Sequence, residues 1–235
     1  MLNYFQSFLE VKHLETTIAD NLKERIPHFK VGIITYNDIE VGPSPQMLKG
    51  RLQLFQESLY FDLQEKEWTD FNKIQEWRNV FKLTGTNPSR YRPSAEALYR
   101  RIQKQNYLSP VHSAIDLNNF FSLLFEVPIG IYDRAKLKGD ITIKIGEHGD
   151  TYMGLNGRMN SMEHMITSVD QEGPFGSPFV DSERTKVTEE TKQALQIIYF
   201  TPSTSIEETD KQTKSLLDMF LQIHGGKGHY SISTN

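Results

Sequence analysis

The chain contains no cysteine among its 235 residues. Disulfides, thiolate metal sites and cysteine nucleophiles are therefore excluded. Long apolar runs are also missing. No window approaches the ~18 consecutive apolar residues a bilayer-spanning helix needs. The first residues, MLNYFQSFLEVKH, lack a basic stretch followed by an apolar run and do not read as a secretory signal. Absent too are a GxSxG elbow, a Walker loop and a GxGxxG turn, which removes support for serine-hydrolase, NTPase and Rossmann readings. The seven histidines show neither HExxH nor another ligand spacing, so no metal and no cofactor is expected. The chain carries a formal net charge of −4, which argues against a general polynucleotide binder and against DNA. These features together predict a cytoplasmic protein with no membrane contact.

What is present is concentrated. Between Arg78 and Lys104 lie seven basic residues (Arg78, Lys82, Arg90, Arg92, Arg100, Arg101, Lys104) against one acid, Glu96. Five of the seven are arginines, whose forked guanidinium suits phosphate oxygens. Two readings stay open. Arg78, Arg90, Arg92, Arg100 and Lys104 form a face that tracks RNA phosphates. Alternatively, Arg78 and Arg92 pair with carboxylates across the core while the rest coat a solvated helix. Arg90 and Arg92 precede a helix start, where backbone amides attract anions. Arg100 and Arg101 stand about 100° apart on a helix, which predicts that they do not serve one compact site.

The apolar residues make up 37% of the chain, enough for a real core. Lys30 to Val41 reads as a strand. Helical spacing follows over Pro45–Asp62, over Trp68–Leu83, from a Ser94 cap onward, and over Ser113–Phe125. After Pro128 the period shortens. Strands are expected over 129–132, 141–145, 152–155 and 165–169, then an irregular passage through GPFGSP. Gln193–Phe200 is ambiguous between helix and strand. Ser205 with Glu208 opens a last helix that Gly225-Gly226 stops, and the final residues are expected to fray. The class is α+β: a helical N-terminal half packed on a mixed, mostly antiparallel sheet, in a single domain over 1–235.

Two further segments have the composition of a binding site. Asn118, Asn119 and Ser122 share a helical face with Ile115, and buried amides need partners. They bind a ligand's polar atoms or fix the helix to the sheet. Asp170–Thr185 (DQEGPFGSPFVDSERT) places two glycines and two prolines among Glu172, Ser177, Asp181 and Ser182, as a pocket rim does; the plain alternative is a connecting loop.

An ordered set of segments carries a resemblance: Ser94–Arg101, Pro110, Ile115-Asp116-Leu117-Asn118-Asn119, Pro128–Asp133 (PIGIYD), Gly139-Asp140-Ile141, Gly149, Asp170, Val187–Thr191 and Tyr199–Pro202. The set resembles the B3/B4 tRNA-binding and editing domain of the phenylalanyl-tRNA synthetase beta chain, and still more the free-standing bacterial proteins made of that domain. The resemblance covers 29–202, with a C-terminal helix (203–224) and a tail (225–235) beyond it. It implies the B3/B4 fold, a tRNA or aminoacyl-tRNA partner, and hydrolysis of a misattached aminoacyl ester in trans. The synthetase's aminoacylation module has no room in 235 residues, so the chain is not expected to charge tRNA by itself. The family's pocket residues differ here. Ser109 replaces an Arg, His112-Ser113 two Asn, Gly130 a His, Ser177-Pro178 an Ala-Gly pair, Asp181-Ser182 two glycines, and Gln196 a Glu. The candidate pocket is Asn118, Asn119, Ser122, Gly130, Glu172, Ser177, Asp181, Ser182 and Gln196, between the helical and strand halves; the resemblance supplies the pocket positions Gly130, Ser177, Asp181, Ser182 and Gln196, whereas Asn118, Asn119 and Ser122 come from the helical spacing and match mostly scaffold positions of the family. The alternative is a small amino-acid-like ligand on a reused scaffold, without RNA or catalysis. Ten acids against five bases between Asp170 and Asp218 favour that alternative.

Overall fold

The computed structural model describes residues 15–234; the reading of the first 13 residues as lacking a signal, and His13 with it, lies outside these. Along the chain come β1 (Thr16–Ile18), α1 (Asp20–Arg25), β2 (Lys30–Asn37), α2 (Gln46–Glu65), a 3-10 turn (Trp68–Asp70), α3 (Asn72–Thr84), α4 (Ser94–Gln103) and α5 (Ser113–Phe125). Then follow β3 (Ile129–Asp133), β4 (Ile141–Ile145), β5 (Thr151–Met153), β6 (Met159–Ser161), β7 (Ile166–Asp170), β8 (Gly173–Gly176), β9 (Ala194–Phe200), α6 (Ile206–His224) and β10 (Lys227–Thr234).

The class is α+β, as expected, but the strands form more than one sheet. Strands β10-β2-β9-β3 make an antiparallel central sheet. Strands β1-β4-β7-β8 make a second sheet, parallel only at β1–β4. β5 and β6 form a separate hairpin. Two-residue alternation sends successive side chains of the central sheet to opposite faces. Tyr36 faces the helices, where its ring stacks on Phe220 of α6 at 4.0 Å. Tyr199 faces the second sheet, where its hydroxyl meets Ser168 of β7 at 2.8 Å. The central sheet is thus covered on both faces, and every residue of β9 is buried.

Three expectations are corrected. The tail does not fray: all eight residues of β10 pair with β2. The passage after Asp170 begins as a strand, β8, paired with β7. Ser94 is not a cap; it is the first helical residue, and its amide donates to the Pro178 carbonyl at 2.8 Å. The Ser205 cap is found as read, accepting from the Glu208 amide at 3.1 Å. Among the described residues no helix is long and apolar enough to cross a membrane.

Candidate functional site

The central sheet divides the residues expected to share one pocket. Asn118, Ser122 and Gln196 lie on its helical side, fully engaged. Tyr36 donates to Gln196 Oε1 at 2.8 Å, Gln196 Nε2 donates to Asn118 Oδ1 at 2.9 Å, and Asn118 Nδ2 donates to the Ile129 carbonyl at 2.9 Å. Ser122 donates to the Val127 carbonyl at 2.7 Å. Buried amides require such partners. These contacts bind α5 to the sheet, which corrects the expectation that the three reach a ligand. Asn119 is half-buried on the same helix.

Gly130, Ser177, Asp181 and Ser182 belong to the other side. A Cβ on Gly130 or on Gly176 would fall within about 2 Å of the Tyr132 hydroxyl, at 2.0 and 2.2 Å. The Tyr132 phenol therefore occupies the slot that the two missing side chains leave. It packs edge-on against Phe175 at 4.8 Å and donates to Asp181 Oδ1 at 2.7 Å. Its oxygen also lies 3.4 Å from the Tyr199 hydroxyl. Burial pushes the Asp181 carboxyl up to about 7, against the opposing hydrogen bonds from Tyr132 and the Ser177 backbone. Burial likewise holds the phenols of Tyr132, Tyr152 and Tyr199 above the usual tyrosine range, so they stay neutral donors.

Ser177 shapes the rim. Its Oγ accepts from the Val180 amide at 3.2 Å and from the Tyr152 hydroxyl at 3.0 Å, while donating to the Val180 carbonyl at 2.9 Å. Ser182 is buried with its Oγ 3.3 Å from Thr185 Oγ1. Glu172 is exposed and ion-paired with Arg184, which also grips Asp170. Sequence reasoning missed Tyr132 and Tyr199 as site residues: Tyr132 reads as an ordinary strand aromatic, and Tyr199 falls in the span that is ambiguous between helix and strand. The signal that marks Tyr132 is its position two residues after a glycine on one strand face.

The basic segment splits into two groups. Arg78 and Arg100 share the fully buried Glu96 carboxylate, at 2.9 and 3.2 Å. Both guanidiniums also lie over the Trp68 ring, 5.1 and 4.7 Å from its centroid. Arg78 is thus an internal ion-pair residue, which corrects its assignment to phosphate binding. Arg90 is exposed over the Tyr91 ring. The second group surrounds a hollow of about 340 Å³ lined by Arg92, Ala97, Arg100, Arg101, Lys104 and Asn106. Arg100 and Arg101 both line this hollow, but the Arg100 guanidinium is turned to Glu96 and the Trp68 ring. Among the described residues none of Arg92, Arg101 and Lys104 is in an ion pair.

The loop from Gly85 to Pro93 joins the two regions. Tyr91 packs edge-on to Phe179 of the rim at 5.5 Å, and the Ser94–Pro178 hydrogen bond ties the start of α4 to the same segment. The basic hollow therefore opens on a helix whose first residue is fastened to the rim. Among the described residues no cluster of His, Asp and Glu has metal-binding geometry. His112 caps α5, accepting from the Ile115 amide at 3.4 Å.

The model of the B3/4 domain family matches residues 76–219. Uncharacterized protein YhzB of Bacillus subtilis strain 168 is 36% identical over 205 residues, which are 87% of this chain and 92% of that protein. The phenylalanine–tRNA ligase beta subunit of Paramagnetospirillum magneticum is 34% identical over 98 residues, 40% of this chain but 12% of that subunit. The corresponding subunit of Fusobacterium nucleatum is 25% identical over 122 residues, again only 15% of its own length. An N-terminal fragment of the phenylalanyl-tRNA synthetase beta subunit from Pyrococcus horikoshii superposes with a TM-score of 0.48 and 16% identity, over 95% of this chain and 55% of the fragment.

Proposed function

The chain belongs to the B3/4 domain family, and on that premise we propose that it binds the phosphates of a tRNA or aminoacyl-tRNA end and hydrolyses the aminoacyl ester in trans. One observation carries the binding half. Arg92, Arg101 and Lys104 surround a hollow without internal counterions, beside Arg100. Unpaired cations held together repel one another, and an anion relieves that repulsion. In support, the Ser94–Pro178 hydrogen bond joins the first residue of α4 to the segment that carries Asp181.

Asp181 supplies the chemistry. A carboxylate near 7 is half ionised at neutral pH and is matched to general-base work. In the proposed step it takes a proton from water as the water oxygen adds to the ester carbonyl. Collapse of the adduct expels the ribose oxygen, which receives the proton. The ester is already reactive, so positioning supplies most of the rate. The Tyr132 phenol fills the slot between Gly130 and Gly176, so an aromatic acyl group has no room there. The substrate is accordingly an ester of a small amino acid, not of tyrosine.

A deacylation panel of tRNAs charged with small and aromatic amino acids tests this reading. Turnover above buffer hydrolysis on a small aminoacyl ester, lost in Asp181→Asn, supports it. No turnover on any pair removes the enzymatic half. A melting temperature raised by a free amino acid, with no RNA retained on a filter, would instead support small-ligand binding without RNA.

A further inference from the structure

A second set of chemically competent groups lies away from the rim and the basic hollow. Where α5 begins and α6 ends, Ser113 Oγ stands 2.8 Å from His224 Nε2. The other ring nitrogen, Nδ1, is 2.9 Å from the Phe220 carbonyl. A carbonyl can only accept, so Nδ1 carries the proton and Nε2 presents its lone pair to the serine. Ser113 must then donate its hydroxyl proton to His224. Its oxygen also accepts from the Gly42 amide at 3.3 Å, which fixes the rotamer. The imidazole is stacked on Phe220 at 4.0 Å, and Phe220 on Tyr36 at the same spacing, so the ring cannot swing. Burial lowers the His224 pKa against the opposing hydrogen bond to the Phe220 carbonyl, with nearby His112 adding a smaller lowering. Both residues line a hollow of about 590 Å³ with Asp38, Glu40, Val41, Pro43, Pro45, Ile223 and the glycines after α6.

We propose that Ser113 and His224 form a nucleophile–base pair that accepts an acyl group from an ester whose acyl part carries an ammonium. A nucleophile, a base in hydrogen-bond reach and a third group orienting the base make up the arrangement that activates serine. Here the Phe220 carbonyl orients the imidazole, in place of a carboxylate. Ser113 Oγ attacks the ester carbonyl while its proton passes to His224 Nε2. The adduct collapses, the C–O bond to the alcohol breaks, and the alcohol leaves with that proton. Water then adds to the acyl-serine with His224 again taking the proton, releasing the acid and restoring Ser113. The preference for a cationic acyl group follows from the walls. Asp38 and Glu40 flank the hollow, and the last turn of the 19-residue α6 adds the negative end of its dipole.

The test uses the intact chain. A fluorophosphonate probe should label one residue, mapped to Ser113 by peptide mass, and S113A should lose the label. In H224Q labelling should slow at least tenfold while the melting curve stays cooperative. Because the chain has no cysteine, S113C gives a unique thiol; beside His224 its alkylation by iodoacetamide at pH 6.5 should exceed that of free cysteine at least tenfold. Alanine p-nitrophenyl ester should be cleaved faster than p-nitrophenyl acetate, relative to S113A. No Ser113 label together with an S113C thiol no faster than free cysteine overturns the pair. Equal cleavage of the two esters, relative to S113A, overturns the cationic preference. None of the three substitutions touches the basic hollow or Asp181, so RNA retention in S113A is independent of these outcomes.

Discussion

Replacing Asp181 by Asn should stabilise the protein above neutral pH and flatten its pH dependence. Burial raises this carboxyl from 3.8 to about 7. Between those values the folded state holds a proton that the unfolded chain has released. Stability therefore falls as pH rises through that window and levels off above it. At 1.4 kcal/mol per pH unit, the interval bounds the loss at roughly 4 kcal/mol. Asn cannot titrate, and its Oδ1 still accepts from the Tyr132 hydroxyl, so packing is preserved. Urea denaturation of both proteins at half-unit steps from pH 4 to 8.5 reads the effect. The two curves should approach each other near pH 4, and because Asp181 as a whole is only half-buried the variant should lead at pH 8 by less than that bound, roughly 1–3 kcal/mol. Parallel curves, with a constant difference below about 0.5 kcal/mol, would refute both the burial of this charge and its readiness as a base. The same variant should lose deacylation while gaining stability, the pattern expected of a group kept for its chemistry.

Other outcomes follow from the same contacts. Glu96→Gln removes the shared partner of Arg78 and Arg100 and should cost roughly 2–3 kcal/mol in urea denaturation, the low side for buried pairs because both guanidiniums keep some solvent. Gly176→Ala drives a Cβ against the Tyr132 hydroxyl and should cost about 1–3 kcal/mol, partly recovered when combined with Tyr132→Phe. Gln196→Leu leaves the Tyr36 hydroxyl and the Asn118 Oδ1 without their partner and should destabilise by roughly 2–4 kcal/mol, read by thermal or urea unfolding.

Elements with strong periodicity were legible in the sequence. α5 and β4 occupy the spans their patterns give, because one is bounded by a His-Ser start and an αL residue and the other alternates between glycine turns. β9 reads ambiguously because all seven residues are buried, and apolar residues on both faces, broken only by Gln196, leave no clear period. β10 was invisible for the opposite reason. Its residues alternate polar and weakly apolar, and only pairing with β2 organises them. The rim and the basic stretch were legible as compositions. Their division was not: which arginines meet Glu96, and which face of the sheet Gln196 and Tyr132 occupy, depends on register and on contacts distant in the chain. Asp181 was visible as an acid in a loop, but its raised pKa arises from burial that only the packed sheets supply.

The most direct test is filter binding of tRNA as salt is varied, with the Arg101→Ala/Lys104→Ala double variant alongside. Three phosphate contacts, from Arg92, Arg101 and Lys104, predict a slope near −2 in log affinity against log salt, about a 20-fold loss between 50 and 200 mM. The double variant should weaken binding and lower that slope by about 1.4, with an unchanged melting temperature because neither side chain is internally paired. An affinity indifferent to salt, or a double variant that binds like the parent, would contradict the assignment of the α4 hollow to RNA phosphates.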